Sequence, residues 1–282
     1  MAGCNDGTIH HLRVSDGTKL GTTMKADGSV LAVAISSDGK RIVSGGQDCK
    51  VTVWDAKTQT RAVESILTSE IWVNALDVSP GSTRFATASS DFAVNIWSLA
   101  TGQRLVNPLK HNNRVECIAF SLDGDQVATA GAHDSLRIWD SRDGDLLIEV
   151  PGLFPESLVW WHDERILAST QSTERWVDTL SGSVLLELPR TGDTTTKVHL
   201  AVSRKRNSLA ILDGRIARSW DHTTQAWSST AYKLCYDGCS IAVSDSHHLV
   251  TGGEDGISIW NLPRVPEDTD LVRISSPDHF IQ

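Results

Sequence analysis

Thr129, His133 and Asp134 lie within six residues and supply a hydroxyl, an imidazole and a carboxylate, the three functions of a nucleophilic triad. Such residues are abundant in this chain, and proximity in sequence alone defines no triad. His10-His11 and His247-His248 offer imidazoles for a metal, yet adjacent side chains on extended backbone face opposite ways and cannot chelate one ion together. Cys235 and Cys239 flank Asp237-Gly238 without the second pair that completes a zinc site. Gly252-Gly253 and Gly256 precede a short extended segment, and a phosphate cradle there lacks its helix N-terminus. Arg204-Lys205-Arg206, the compact basic cluster of a chain with net charge −9, reads as a solvated hairpin turn. Nucleic-acid backbones demand clustered Lys and Arg, which excludes that partner class. No catalytic residue, metal or cofactor is expected.

The elements that would position any site are repeats. Trp54, Trp97, Trp139, Trp176, Trp220 and Trp260 recur at intervals of 43, 42, 37, 44 and 40 residues. Asp6-Gly7-Thr8-Ile9-His10-His11-Leu12 lines up with Asp48-Cys49-Lys50-Val51-Thr52-Val53-Trp54 as a seventh copy, with Leu12 in place of Trp. The segments before each Trp alternate apolar and polar, as in Val51-Thr52-Val53 and Leu136-Arg137-Ile138, the period of a strand. Asp38-Gly39 and Asp123-Gly124 join paired apolar runs as two-residue hairpins, and Pro80-Gly81 does similar duty. Four strands per repeat follow. Periods near 40–45 residues point to propeller blades.

On these residues the whole chain resembles the WD-repeat β-propeller family. The Trp-Asp pair stands at Trp54-Asp55, Trp139-Asp140 and Trp220-Asp221, and weakens to Trp97-Ser98, Trp176-Val177 and Trp260-Asn261. The resemblance implies a buried tetrad of His, Ser or Thr, Asp and Trp, which the fourth repeat matches fully with His111, Thr129, Asp134 and Trp139. That assignment competes with a nucleophilic role for Thr129 and Asp134. The second, third and seventh repeats keep Ser44, Asp48, Trp54; Thr87, Asp91, Trp97; and Thr251, Asp255, Trp260, but place Ala26, Ser69 and no recognisable His at the remaining corner. The fifth and sixth are degenerate, with no turn Asp before Trp176 and Ile211 in place of the hydroxyl, and are expected to be the least stable.

The fold class expected is all-β, one seven-bladed propeller of four-stranded antiparallel blades over 1–282, with copies at about 1–24, 25–67, 68–109, 110–150, 151–190, 191–231 and 232–282. The first blade is expected to be incomplete. It begins inside its second strand, continues through a third strand (Thr8 to Arg13) and an outer one (Thr18 to Thr22), and is closed by Phe280-Ile281-Gln282. Only 34 residues separate Trp260 from Leu12 around the ring, which suggests a fragment or a shortened copy. Unpaired edges there invite self-association. Five cysteines without paired spacing, and no apolar segment resembling a signal peptide or a membrane span, point to the cytoplasm or the nucleus.

In this family, partners dock on the face carrying the loops into the inner strands and the turns before the third strands. Carried over repeat by repeat, that face comprises Asn5, Asp27, Ser29, Gln47, Glu70, Trp72, Ser90, Asn112, Arg114, His133, Phe154, Thr196, Asp237 and Glu254. Trp72 lies outside the periodic series and is the candidate anchor; packing between blades is its other reading. Asp27, Glu70, Asp237 and Glu254 outnumber Arg114, which favours a neutral or basic protein or peptide partner. Trp160-Trp161 is apolar enough for an interface, although core packing accounts for at least one of the two. The function expected is a non-enzymatic interaction scaffold. The alternative is a propeller enzyme or small-molecule binder using the central channel, which the apolar Leu31-Ala32-Val33-Ala34-Ile35 and Cys117-Ile118-Ala119-Phe120 do not favour.

Overall fold

Period-two alternation gives each short strand two usable faces, one for each neighbouring sheet. The computed structural model describes residues 1–68, 71–131, 133–161, 164–190, 196–203, 208–221, 226–227, 231–234, 238–243, 248–253 and 256–262, and among these every regular element is a β-strand. They form seven small antiparallel sheets, the blades of a seven-bladed β-propeller. The first holds β1 (Ala2–Gly3), β2 (Thr8–His10) and β3 (Met24–Lys25); the second β4 (Val30–Ile35), β5 (Arg41–Gly46), β6 (Lys50–Asp55) and β7 (Arg61–Leu67). The third holds β8 (Val73–Val78), β9 (Arg84–Ser89), β10 (Ala93–Ser98) and β11 (Leu109–Lys110); the fourth β12 (Cys117–Phe120), β13 (Gln126–Gly131), β14 (Asp134–Asp140) and β15 (Leu146–Val150). The fifth holds β16 (Ser157–Trp160), β17 (Arg165–Ser169), β18 (Thr173–Asp178) and β19 (Val184–Pro189); the sixth β20 (Val198–Ser203), β21 (Ser208–Asp213), β22 (Ile216–Asp221), β23 (Ala226–Trp227) and β24 (Tyr232–Lys233). The seventh holds β25 (Gly238–Val243), β26 (His248–Gly253) and β27 (Gly256–Asn261).

Apolar burial is divided among clusters that each lie between two consecutive blades, from Ile9, Met24 and Trp54 between the first pair to Leu212, Leu234 and Leu249 between the sixth and seventh. Polar groups of the inner strands join the blades as well. Asn74 Nδ2 donates to Val115 O (3.0 Å), Asp77 Oδ2 accepts from Phe120 N (2.8 Å), Trp160 Nε1 donates to Ala119 O (2.9 Å), and Ser157 Oγ accepts from Leu200 N (3.0 Å). Both Trp160 and Trp161 are buried and belong to the core, so neither serves as an interface anchor.

The hairpin turns are longer than the Asp-Gly dipeptides suggest. Only Gly39 (φ 69°) and Gly124 (φ 81°) are left-handed, where a two-residue turn of that kind needs two such residues. The connections run over Ser36–Lys40 and Ser121–Asp125. Asp38 Oδ1 accepts from Ser36 Oγ (2.6 Å) and Lys40 N (3.0 Å), and Asp123 Oδ1 repeats the pattern with Ser121 Oγ (2.6 Å) and Asp125 N (2.9 Å). In the third blade Ser82, not Gly81, takes the left-handed place (φ 54°).

Register corrects the tryptophan series at one position. Trp54 lies opposite Ile42, and Arg41 opposite Asp55; in the fifth blade the equivalent pairs are Val177 with Ile166 and Asp178 with Arg165. Val177 therefore stands where the second, third and fourth blades have Trp, and Trp176 faces the opposite side of its sheet. Trp54, Trp97 and Trp139 each pack toward the preceding blade, whereas Trp176 packs toward the sixth, 6.1 Å from Trp161 and 5.7 Å from Trp220 between ring centres. The short 37-residue interval is the sequence trace of this shift.

The first blade departs from expectation in its outer strand. Residues 18–22 contribute only a bridge between Leu12 and Lys19, and the strand forms at Met24–Lys25. Gly17 and Gly21 are left-handed, and the Gln59 side chain from the second blade occupies the space beside Gly21, donating to Leu20 O (2.9 Å) and accepting from Thr22. Residues 276–282, expected to close this blade, lie outside the described residues.

Candidate partner-binding face

The fourth blade shows how the loops are held. Trp139 Nε1 donates to Thr129 Oγ1 (2.7 Å), Thr129 Oγ1 lies 2.8 Å from His111 Nε2, and His111 Nδ1 lies 3.0 Å from Asp134 Oδ2. A neutral imidazole satisfies every step: Thr129 donates to Nε2 and Nδ1–H donates to the carboxylate. Burial and the Arg137 charge outweigh Asp134 and hold the His111 pKa down to about 4. Burial alone would raise Asp134, but bonds from the Asn112 and Ser135 backbone and the charge of Arg137 leave its pKa below the ordinary value. Asp134 Oδ2 also accepts from Asn112 N (2.7 Å) and Asn113 N (3.2 Å), so the network fixes the loop ahead of β12. Thr129 is fully buried, its partner is His111, and His133 is exposed, an arrangement incompatible with the triad reading.

The sixth blade uses a different lock. His111 N donates to Phe92 O of the preceding blade's turn, and Arg190 N makes the equivalent bond to Ser172 O. Arg190 thus occupies the His111 position, and its guanidinium pairs with Asp213, 23 residues on, the same separation as His111 from Asp134. It also donates to Gln171 O (3.2 Å) and Thr196 O (2.7 Å), and the side chain is entirely buried. With the Trp161, Trp176 and Trp220 contacts, this holds together two blades in which sequence showed only a missing tetrad. By the same bond Thr68, donating to Cys49 O (3.1 Å), takes the corner assigned to Ser69, which lies outside the described residues.

The loops into the inner strands and the turns before the third strands share one face, since Lys50 at the start of β6 lies opposite Leu67 at the end of β7. Trp72 is half exposed there (50%), and its carbonyl accepts from Ser89 Oγ (3.1 Å) and Ser90 N (3.2 Å). Its loop is therefore tied to the turn that bears Phe92. Phe92, absent from the expected set, is 46% exposed at φ 68°. A left-handed aromatic residue is uncommon and strained. Its signal is positional: Asp91-Phe92 lines up with Asp48-Cys49 (φ 62°) and Asp6-Gly7 (φ 84°). Ile71 and Leu67 are exposed nearby in sequence.

The other expected residues are placed unevenly. Asp27 is exposed but paired with Lys50 (2.7 Å) and Arg61 (2.8 Å), which weakens its contribution to an acidic surface. Ser29 Oγ donates to Asn5 Oδ1 (3.3 Å), Gln47 N donates to Ser29 O (2.9 Å), and Ser90 Oγ meets Asn74 (2.9 Å). Arg114 pairs with Glu116 (2.7 Å), which Lys197 reaches from two blades away (3.2 Å). Asn112, His133 and Phe154 are exposed, and Thr196 accepts from Arg190. Glu70, Asp237 and Glu254 lie outside the described residues, as do His247, Cys235 and residues 204–206. Among the described residues no group of three or more His, Cys, Asp or Glu side chains is arranged for a metal ion, and no helix is long and apolar enough to cross a membrane.

Blades of this register around such a tetrad define a repeat propeller, and its second to fourth blades carry the repeats of the WD-repeat β-propeller family. The family described as "WD domain, G-beta repeat" matches residues 17–55, 64–98 and 103–140. Mouse cilia- and flagella-associated protein 52 is 30% identical over 156 residues, covering 55% of this chain and 25% of that protein. Rat apoptotic protease-activating factor 1 is 22% identical over 249 residues, 71% of this chain and 20% of that one. Protein groucho of Drosophila melanogaster is 29% identical over 123 residues, 43% and 17% respectively. The chain spans a quarter or less of these relatives. The solved WD40 β-propeller domain of Doa1 superposes with a TM-score of 0.75 at 17% identity over 91% of this chain and 86% of that domain, a likeness of fold.

Proposed function

We propose that this protein is a non-enzymatic interaction module that binds a protein or peptide on the face bearing Trp72, Phe92 and Arg114. The observation that carries the reading is the half-exposed Trp72, whose loop is bonded through its backbone to the turn holding Phe92 in a strained conformation. Rigid, exposed aromatic side chains are the usual anchors of an interface. The partner is expected to be neutral or basic. Asp27 is already neutralised, so a basic preference rests on Glu70, Asp237 and Glu254. The channel-binding alternative gains no support from Asn74, Asp77 and Ser157, whose polar groups are engaged between blades. Residence in the cytoplasm or nucleus, and self-association through a first blade completed by residues 276–282, belong to the same proposal.

The test is capture of partners by the parent and by Trp72→Ala/Arg114→Ala. Loss of about 2 kcal/mol or more at a hot spot lowers affinity at least tenfold, and the captured partner should disappear while the melting temperature holds. Capture that survives both changes contradicts the proposal.

A further inference from the structure

Six blades begin with an inner strand, at β4, β8, β12, β16, β20 and β25, but the first sheet begins with β1. The pairing of Ala2 with His10 and of Gly3 with Ile9 matches that of Ser44 with Thr52 and of Gly45 with Val51, so β1 is a second strand. No described residue pairs with its inner edge. Gly3 is exposed where Gly45, Ala88 and Ala130 are buried. Ile35, at the foot of β4, is 46% exposed, although Val78, Phe120 and Trp160 in the same register are at most 4% exposed. A Cβ on Gly3 would meet Val30, so β1 abuts β4, and its free edge and Ile35 bound one cleft. An open backbone edge beside an apolar wall is the geometry to which a strand adds.

A segment of matching phase follows β27. In the second to fourth blades the apolar residue at the foot of the inner strand precedes Ser36, Ser79 or Ser121, whose hydroxyl accepts from the backbone N–H of Arg41 (2.9 Å), Arg84 (3.1 Å) or Gln126 (2.9 Å), five residues on. The next residue, Ile42, Phe85 or Val127, lies opposite that apolar residue. Residues 271–282, outside the described residues, repeat the pattern: Ile274, Ser275, Phe280 and Ile281 stand at the places of Ile35, Ser36, Arg41 and Ile42. Ile274-Ser275-Ser276 reproduces Ile35-Ser36-Ser37 residue for residue. Residues 262–270 join β27 to Leu271, and nine extended residues reach roughly 30 Å. The rise along a strand as long as β27, six residues, is about 20 Å, so the link is long enough.

We propose that residues 271–274 add to the inner edge of β1 in the same copy as the inner strand of the first blade, with Phe280 and Ile281 continuing the line of β1 beyond Met1. In the register of the second blade, Leu271 faces Gly3, Val272 faces Ala2, and Ile281 lies between Ile274 and Leu12. Arg273 takes the place of Asp77 and Ala119, which contact Phe120 and Trp160 of the following blade, and its aliphatic stem covers Ile35. The inference deepens the completion of the first blade proposed above by assigning its strands, and it is independent of the face bearing Trp72.

Disulfide trapping in the full chain tests this. Directly opposed Cα atoms of antiparallel strands lie about 4.5–5.5 Å apart, within the span of a disulfide. On mild oxidation Ala2→Cys/Val272→Cys should cross-link within one copy, identified by peptide mapping of the monomer fraction, and Ala2→Cys/Ile281→Cys should not. Adding Ile274→Asp should abolish the first cross-link and lower the melting temperature, whereas Ser276→Asp, at the exposed Ser37 position, should change neither. A cross-link in the Ile281 pair in place of the Val272 pair would overturn the strand assignment while keeping completion by residues 276–282. Absence of both would overturn the assignment and the completion together, and a Val272 cross-link found only between two copies would overturn closure within one chain.

Discussion

Arg190→Met removes the buried lock of the sixth blade while keeping an unbranched side chain of similar length. The guanidinium is fully buried and its partner Asp213 is 10% exposed, so the variant strands a carboxylate that water barely reaches. Breaking a buried pair by deleting one partner costs about 3–5 kcal/mol. The carbonyls of Gln171 and Thr196 lose a donor as well. At about 2–4 °C per kcal/mol for a domain near this size, the melting temperature should fall by roughly 6–20 °C. Asp213→Leu should cost a similar amount, and the double variant less than the sum, because replacing both ions removes the stranded charge. Calorimetry of the four proteins measures the coupling, and hydrogen exchange should quicken in β20, β21 and β22. A loss below about 1 kcal/mol in Arg190→Met, or strictly additive single effects, would refute the assignment of Arg190 as the counterpart of His111.

Three further outcomes follow from the same geometry. Trp139→Ala should cost about 3–5 kcal/mol from lost aromatic burial, and an unchanged melting temperature would contradict it. His111 has a folded pKa of about 4, below its ordinary value, so the unfolded chain binds a proton that the folded one refuses. Stability should therefore decline as pH falls from about 6.5 toward 4, by up to about 3 kcal/mol from this residue. His199, likewise held at about 4 by burial and Lys197, acts in the same direction, and a flat melting curve over that range would refute both. Ser82→Gly should relieve a left-handed serine worth about 1 kcal/mol, partly offset by loss of its 3.3 Å bond to Asp38 N; a lower melting temperature would show that the bond matters more.

The blade count and the tetrad were legible because each rests on a spacing: the tryptophan period, and the 23 residues from His111 to Asp134. Register was harder to read. Trp176 fits the period to within a few residues, but a one-residue shift moves a strand residue to the other face, and only the pairing of Asp178 with Arg165 exposes it. Arg190 and Asp213 share the tetrad spacing, yet the residue types differ from His and Asp, so a search by type passed over them. The hairpins were misread because Asp-Gly suits turns of more than one length, and here the buried Ser36 and Ser121 hydroxyls select the longer one. Phe92 stood at a position that the first two repeats fill with Gly7 and Cys49, which was the available sign of strain.

The central claim is that partners bind the face carrying Trp72 and Phe92. The antiparallel register puts Lys57 and Arg142 on the opposite face, in the turns after β6 and β14. The most direct measurement compares the affinity of a captured partner for three proteins: the parent, Trp72→Ala/Arg114→Ala, and Lys57→Ala/Arg142→Ala. The account predicts that the first and third bind alike and that the second binds at least tenfold more weakly at an unchanged melting temperature. Equal affinity for all three, or loss in the third alone, would contradict it.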